Sequence, residues 1–145
     1  MRTFILKMNR IMAKEKLYRI TMTESQLRLM ADAVEDWHRF LAGQCEMANA
    51  TSFIEDMHEA RKNLNDFVRP YIVPKLKYNG ASYGWSGGNC PNEHQRKAIA
   101  MSYMIYREVI HYLTTHNGKD MSWNCYNSET LTCEEQGPLI KIEEV

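Results

Sequence analysis

The feature of the sequence that most constrains the fold is the stretch from Glu93 to Thr115, which predicts one long helix. Two sets of apolar residues recur there at steps of three and four, and the sets lie on adjoining faces of a helix. A helix that is apolar over so much of its circumference packs on more than one side. We therefore expect this helix to form the centre of the domain, capped by Asn92 at its start and by Asn117 and Gly118 at its end. The two sets are Ile99, Tyr103, Tyr106, Ile110 and Leu113, and Ala98, Ile105, Val109 and Tyr112.

Two shorter helices are predicted ahead of the central one. Thr23 and Gln26 form a capping-box pair at the start of an amphipathic helix of about five turns. Ser52 and Glu55 form a second such pair, and the helix that follows is expected to end before Pro70, leaving Arg69–Tyr78 as an extended connector. The helical spacing places the apolar and aromatic residues of both helices in the core. These residues are Leu27, Met30, Val34, Trp37 and Leu41 in the first helix, and Phe53, Met57, Ala60, Leu64 and Phe67 in the second.

Four short stretches have the alternation or composition of β-strands. One precedes the first helix and three follow the central helix, separated by turn-forming residues. The pattern predicts an α+β fold, with a three-helix core around a central long helix and a small, mostly antiparallel C-terminal sheet. Residues 1–15 are predicted to form a basic, disordered N-terminal tail, and residues 16–145 to form a single domain. The predicted strands are Lys16–Met22, Ser122–Tyr126, Thr130–Cys133 and Leu139–Glu143.

Charge and composition exclude some classes of function. The formal net charge is zero, which argues against general nucleic-acid binding because that needs a surplus of Lys and Arg. The charge is unevenly distributed, since six basic residues face one acid through Met22 and six acids face two lysines from Lys119 onward. The two ends are either solvated or paired, within one chain or between subunits. No secretory signal or membrane span is visible, so we expect a cytoplasmic protein with reduced cysteines.

The segment Tyr83-Gly84-Trp85-Ser86-Gly87-Gly88-Asn89-Cys90-Pro91 is the best candidate for a binding loop. Its two aromatic rings are suited to stacking a base, and its glycines let a ligand approach the backbone beside a helix N-terminus, which favours phosphate. Farther along the helix, Arg107 and His111 share a face and are candidates for contact with an anionic ligand, although a position on the solvated side is the simpler reading. The alternative for the loop is a structural Ω-loop whose aromatic residues fill the core. The predicted ligand-binding residues are Tyr83, Trp85, Gly87, Gly88, Asn89, Arg96, Arg107 and His111.

Metal binding and catalysis are less well supported by the sequence. Cys90, His94, Cys125 and Cys133 are all acceptable zinc ligands, but their spacing matches no zinc module, so we expect neither a metal nor a cofactor. Signatures of hydrolases, metalloproteases and nucleotide-binding loops are absent. An enzyme that uses Cys90 with His94 or His111 is the least favoured class.

Three stretches of the chain resemble small proteins of bacteriophages and prophages, over most of the sequence from Leu17 onward. They are YRITMTESQLRLMADAVEDWHRFLAGQ, SYGWSGGNCPNEHQRKAIAMSYMIYREVIHYL and CYNSETLTCEEQGPLIKIEE. The resemblance assigns no role to any residue. It implies a viral protein that blunts bacterial defence in the host cytoplasm, of the anti-CBASS or anti-Thoeris type that sequesters a signalling molecule.

Together these observations favour a non-enzymatic phage protein that sequesters a nucleotide-type immune signal such as a cyclic oligonucleotide. A chain of this length has little room for a deep cavity, so we expect a homo-oligomer whose subunit interface completes the pocket. The rival hypothesis is an inhibitor that docks on a host defence enzyme through an exposed aromatic patch.

Overall fold

The computed structural model describes residues 15–73, 84–86, 88–116, 130 and 136–145. Within these ranges the chain forms four helices, which are α1 (Glu24–Leu41), α2 (Ala48–Thr51), α3 (Met57–Ile72) and α4 (Glu93–His116). The same ranges contain no β-strand. The α+β prediction with a C-terminal sheet is therefore wrong, because the described part of the chain is helical.

Two of the predicted strands have no regular secondary structure and pair with no neighbour among the described residues. Lys16–Met22 and Leu139–Glu143 both lack helical structure, and neither belongs to a ladder among the described residues. The alternation in the C-terminal segment has another cause, because its isoleucines pack one face onto the α1–α4 pair while the residues between them face solvent. Residues 1–14, the predicted strand Ser122–Tyr126 and all of Thr130–Cys133 except Thr130 lie outside the described residues.

The prediction of a central helix is confirmed, since α4 begins at Glu93 and ends one residue after Thr115. Helix α1 packs along it in the antiparallel direction. At one end the Gln95 side chain donates a hydrogen bond to the Leu41 carbonyl oxygen at 2.8 Å. At the other end Ala31 of α1 packs on Val109 and Leu113 of α4. This helix pair is the main packing interface of the described residues.

The capping box predicted for α1 is confirmed, and the predicted apolar seam is partly buried except at Trp37, since Leu27 and Met30 pack on one core cluster and Leu41 on the other. The Thr23 hydroxyl accepts a hydrogen bond from the Gln26 amide at 3.2 Å, and the Gln26 side chain accepts one from the Thr23 amide at 2.9 Å. Ala31 and His38 face α4, whereas Trp37 is 56% exposed. The core role predicted for Trp37 is therefore wrong.

The second predicted helix is wrong in both its start and its end. Ser52 and Glu55 do not cap it, because the short helix α2 forms first and α3 begins at Met57. The buried carboxylate of Asp36 accepts hydrogen bonds from the first amides of α2, those of Asn49 at 3.0 Å and Ala50 at 2.8 Å. A carboxylate at that position stabilises a helix start, so α2 begins where α1 supplies the cap.

Helix α3 also continues past Pro70, so residues 69–72 are helical and the predicted connector is wrong there. Pro70 lies in the last turn, where it removes only one intrahelical hydrogen bond. The Val73 amide still donates to the Arg69 carbonyl oxygen at 2.9 Å. No residue of α3 is buried, and Phe67 is 71% exposed, so the core role predicted for Phe53 and Phe67 is wrong as well.

Each of the described helices is too short or too polar to cross a lipid bilayer.

Candidate functional site

The loop that leads into α4 is fixed to the end of α1 by a close backbone contact. Gly84 has φ +96°, and a Cβ atom at this position would overlap the carbonyl group of Ala42. The next amide, that of Trp85, donates a hydrogen bond to the same Ala42 carbonyl oxygen at 2.7 Å. Only glycine combines this dihedral angle with this approach. The sequence therefore sets the start of the loop through a single glycine.

The ring of Trp85 is buried and anchors the loop to the rest of the fold. The side chain is 9% exposed and packs with Val73, Cys90 and Ile99. Its indole N–H donates to the Ile72 carbonyl oxygen at 3.1 Å. The expectation that Trp85 presents its ring to solvent is wrong, and the Ω-loop alternative describes this residue correctly. Tyr83 and Gly87 lie outside the described residues, so their predicted roles in ligand binding remain predictions.

The tip of the loop is exposed, but several of its amides bond within the loop. The Ser86 amide donates to the Asn89 side chain at 2.6 Å, and the Gly88 amide donates to the Ser86 hydroxyl at 3.2 Å. The Cys90 amide donates to the Ser86 carbonyl oxygen at 3.3 Å. Ser86, Gly88 and Asn89 are nevertheless exposed. These three amides are thus already engaged, and an anion at the tip would meet side chains instead.

The start of α4 adds charge beside the tip of the loop. Asn92 caps the helix as predicted, since its side chain accepts from the Gln95 amide at 2.9 Å. Arg96 donates from Nη1 to the Cys90 carbonyl oxygen at 3.0 Å, which ties the guanidinium to the loop. The exposed Glu93 pairs with Lys97 at 2.8 Å, and this hydrogen bond and charge, followed by the charges of Arg96 and His94, lower the pKa of Glu93 below 4.5. Three basic groups therefore surround a single carboxylate.

Arg107 and His111 are on the same helix but far from the loop. A helix rises about 1.5 Å per residue, so Arg107 lies about 20 Å beyond the start of α4 and His111 farther still. Arg107 is 6% exposed, so its expected place on the solvated side of the helix is wrong. Within one chain these two residues and the loop do not converge on a common site.

His38 belongs to an aromatic cluster that the sequence interpretation missed. Its Nδ1 lies 2.9 Å from the Ile99 carbonyl oxygen, which only accepts, so the neutral imidazole carries its proton on Nδ1. The rings of Tyr103 and Tyr106 lie 5.6 and 5.3 Å from the imidazole centroid. Burial lowers the pKa of His38 below 6.5. The step of seven residues from Ala31 to His38 was the available signal, because it places both side chains on one helix face.

A cavity of about 170 Å³ lies between α1 and α4, some distance from the loop. Arg28 and Asp32 line it on one helix, and Ile110 and Thr114 on the other. Burial raises the pKa of Asp32 above 3.8, with a further contribution from neighbouring carboxylates. Ligand sites usually enclose about 300 Å³ or more, so this cavity is too small for a nucleotide.

The buried thiols bear on the enzyme alternative. Cys90 is almost fully enclosed between Trp85 and Ile99, and Cys45 is completely buried. A nucleophilic thiol has to reach its substrate, so this position disfavours the Cys90 enzyme. Cys125 and Cys133 lie outside the described residues, and the four-residue zinc set is therefore not placed.

No known protein family, curated protein or solved structure matches the chain significantly. The geometry defines the class of site only in general terms, as an exposed loop that is hydrogen-bonded to the fold beside a basic helix start.

Proposed function

We propose that the chain is a non-enzymatic phage protein that sequesters a nucleotide-type signalling molecule and so inhibits bacterial defence. The observation that carries the proposal is the construction of the loop. Gly84, Trp85 and Arg96 each fix it to the fold, while Ser86, Gly88 and Asn89 stay exposed. A rigid exposed loop loses little conformational entropy on binding, and such loops commonly carry binding sites.

The basic groups beside the loop favour an anionic ligand. Arg96 is held against the loop backbone, and the exposed His94 and Lys97 stand in the first turn of α4. The helix dipole adds positive potential at this end, although Glu93 offsets part of it. Phosphate or pyrophosphate groups of a nucleotide suit this arrangement, with Arg96 and Lys97 as the principal contacts.

In this proposal Tyr71, rather than Trp85, provides the aromatic ring that stacks on a base. Tyr71 is 85% exposed, and it directly precedes Ile72, whose carbonyl oxygen accepts the Trp85 indole hydrogen bond. Tyr71 therefore lies at the same corner of the fold as the loop. An exposed tyrosine ring can stack on any base, so it supplies affinity without selecting a sequence.

A second copy of the chain completes the pocket in this proposal. The described residues at the loop tip are exposed, and the cavity between α1 and α4 is too small for a nucleotide. Enclosure of a cyclic oligonucleotide therefore requires a surface from another subunit. The interface also provides a route by which His111 of a second copy approaches the loop, whereas Arg107 is buried within its own chain.

A protein-binding inhibitor is the second candidate, favoured by one specific observation. The apolar side of α3 is uncovered, with Phe67 and Tyr71 four residues apart and both exposed. Exposed aromatic residues on one helix face are typical anchors of protein interfaces. The partner in this case would be a host defence enzyme with an apolar groove.

Calorimetry and thermal-shift measurements on the full chain test the first candidate. The probes are cyclic dinucleotides, cyclic trinucleotides and ADP-ribose, each added in large excess. A ligand at one hundred times its Kd stabilises the protein by about 2.7 kcal/mol, which is readily seen as a higher melting temperature. Absence of a shift with every probe would contradict the proposal.

Gly88→Asp separates binding from stability. Only the Ser86 hydroxyl lies near a Cβ at this position, at 3.8 Å, so the fold accommodates the change. The added negative charge should weaken an anionic ligand at least about tenfold, a loss of about 1.4 kcal/mol. Ser52→Asp, at an exposed position on a different element, is the matched control and should leave the affinity unchanged. If Gly88→Asp and Ser52→Asp bind the ligand with equal affinity, the ligand does not bind at the loop.

A further inference from the structure

Residues 139–145, which we call the strap, pack on the apolar seam between α1 and α4. Ile140 and Ile142 of the strap are half-buried there, while the residues before and after Ile142 are exposed. Two side chains that are two residues apart therefore reach the seam together. The core cluster on which they pack consists of Ala31 of α1 and of Val109 and Leu113 of α4.

These two side chains alone attach the strap to the helices. Residues 137–145 make no hydrogen bond or ion pair with any other described residue. The loop before α4 differs in this respect, because the Trp85 indole that anchors it also donates a hydrogen bond. The polar groups of the strap keep their hydrogen bonds to water whether it is bound or released, so release costs only the apolar contact. The strap is therefore suited to leaving the seam while the helices stay folded.

The residues just before the strap provide a hinge. Gln136 is 3% exposed, so the chain is fixed to the fold at that point. Gly137 follows with φ +75° and nothing within 4 Å of a Cβ, and Pro138 is exposed. A hinge needs a few residues that absorb a large change in φ and ψ, and glycine adopts both signs of φ readily. Rotation at Gly137 therefore moves the strap without displacing Gln136.

We propose that the seam is a docking site for a peptide segment of a different protein, with two branched apolar side chains two residues apart, and that the strap competes for this site. The strap shows the chemistry that the site accepts, since Ile140 and Ile142 enter the seam and the residue between them faces solvent. Release of the strap exposes an apolar cluster to water, so the vacated seam favours a new apolar occupant. The inference does not depend on the ligand proposed above.

Tethering indicates that the occupant is a different protein rather than a second copy. A short tether holds the strap beside its own seam at an effective concentration in the millimolar range. The strap of a second copy makes the same contacts without this advantage, so it does not displace the first. A segment of another protein displaces the strap when it adds contacts that the strap lacks, such as a third apolar side chain or a backbone hydrogen bond.

Fluorescence anisotropy with the full chain tests the site. The probe is a labelled synthetic peptide with the sequence of residues 138–145. Ile140→Asp combined with Ile142→Asp releases the strap, so this double variant should bind the peptide at least about tenfold more tightly than the wild type. Lys141→Asp combined with Glu143→Asp changes two exposed positions, and this matched control should bind as weakly as the wild type. Equal affinity of the wild type and the strap-released variant, or no binding to either, would overturn the inference.

Peptides with altered spacing test the chemistry of the occupant. Insertion of one alanine between the isoleucine and the lysine of the peptide prevents both isoleucines from reaching the seam together. This peptide should bind the strap-released variant at least about tenfold more weakly than the original. Replacement of the solvent-facing lysine of the peptide by alanine should change the affinity by less than about twofold. Equal binding of the peptide with altered spacing would show unspecific apolar adsorption and would refute the site.

Methyl NMR with labelled methionine locates the bound peptide. Met30 packs on the same cluster as the strap, whereas Met101 is 44% exposed on α4. Release of the strap should shift the Met30 methyl signal, and added peptide should return it most of the way to its wild-type position. The Met101 signal should move in neither case. A Met30 signal that does not respond to the peptide would place the peptide elsewhere and overturn the inference.

The wild-type chain gives the same information if the double variant does not fold. With isoleucine methyl labels, saturating peptide should move the signals of Ile140 and Ile142 to the positions of an unfolded chain, because the strap is displaced. Signals that stay in place at saturation would show that the strap is a permanent part of the fold.

Sedimentation tests whether a second copy fills the seam. The wild type and the strap-released variant should have the same oligomeric state at every concentration, because each strap occupies its own seam. A wild-type dimer that dissociates in Ile140→Asp combined with Ile142→Asp would show exchange of straps between copies. That result would overturn the assignment of the site to a different protein.

Discussion

Gly84→Ala is the substitution that most directly tests how the loop is held. Gly84 has φ +96°, and its Cα faces the backbone of Ala42 and Gly43. An alanine Cβ at this position would overlap the Ala42 carbonyl group, whose carbon atom lies 2.9 Å from it. Since the obstacle is backbone rather than a flexible side chain, the loop has to move away from α1.

The expected cost has three parts. An L-residue forced to positive φ costs about 1–2 kcal/mol. Displacement of the loop lengthens the hydrogen bond from the Trp85 amide to Ala42, a loss of about 1 kcal/mol. Partial withdrawal of the Trp85 indole from its contacts adds to this, since complete loss of a buried aromatic ring costs about 3–5 kcal/mol. We therefore expect Gly84→Ala to lower the free energy of unfolding by about 3 kcal/mol or more.

Urea unfolding followed by Trp fluorescence measures this loss, and a thermal scan should show a fall of about 9 °C for a chain of this size. Two other glycines serve as matched controls. Gly137 has φ +75° and nothing within 4 Å of a Cβ, so Gly137→Ala isolates the dihedral cost of about 1 kcal/mol. Gly88→Ala involves neither strain nor a close contact and should change the free energy by less than about 0.5 kcal/mol.

The ranking of the three variants by their loss of unfolding free energy shows whether the contact between the loop and Ala42 stabilises the fold. If Gly84→Ala costs no more than Gly137→Ala, the contact between the loop and Ala42 contributes nothing, and the rigid loop on which the proposed function rests is not rigid. A change in the urea dependence without a change in midpoint would instead indicate an altered unfolded state.

Three further outcomes are expected. Asp36→Asn should lower the free energy of unfolding by about 2–3 kcal/mol in urea titrations, because the amide has no charge, keeps only one acceptor oxygen and turns an NH2 donor toward the second α2 amide; Asp32→Asn, at an exposed position on the same helix, should not. Burial lowers the pKa of His38, so the unfolded chain binds the proton more tightly and stability falls as pH drops below 6.5; His38→Gln should flatten that part of a plot of Tm against pH. Trp85→Phe should cost about 1 kcal/mol, because the Ile72 carbonyl loses its donor, and should remove a component of the Trp fluorescence that is blue-shifted relative to that of the exposed Trp37. A cost near zero for Asp36→Asn, an unchanged pH slope for His38→Gln, or an unchanged spectrum for Trp85→Phe would each contradict the corresponding assignment.

The features predicted correctly from the sequence are those that nearby residues determine. The capping box of Thr23 and Gln26 and the Asn92 cap are both complete within four residues. Helix α4 follows from a repeat of apolar residues along a single segment. Such features depend on local hydrogen bonds and on one periodicity, so they do not require knowledge of what lies across the fold.

The helix α3 prediction failed because periodicity reports that a face is apolar but not what covers it. Phe67 has the spacing of a core residue, yet it is exposed in the single chain. The same apolar periodicity is found in a helix that packs on its own domain and in a helix that packs on a second protein. The segment before α1 shows the same ambiguity, since its alternation predicted a strand without identifying a partner strand.

The errors at Pro70 and Trp85 have one physical cause. A helix that ends before Pro70 would leave Ile72 and Val73 in an extended connector, with no apolar corner beside the loop. Because α3 continues to Ile72, its last carbonyl groups have no partner within the helix and need donors from elsewhere. The Trp85 indole is a donor attached to a large apolar ring, so it satisfies the Ile72 carbonyl and fills the space beside Val73 together. Whether an aromatic residue in a glycine-rich loop turns inward thus depends on where a helix thirteen residues earlier ends. Because a proline is tolerated in the last turn of α3, Pro70 does not reveal from the local sequence where this helix ends.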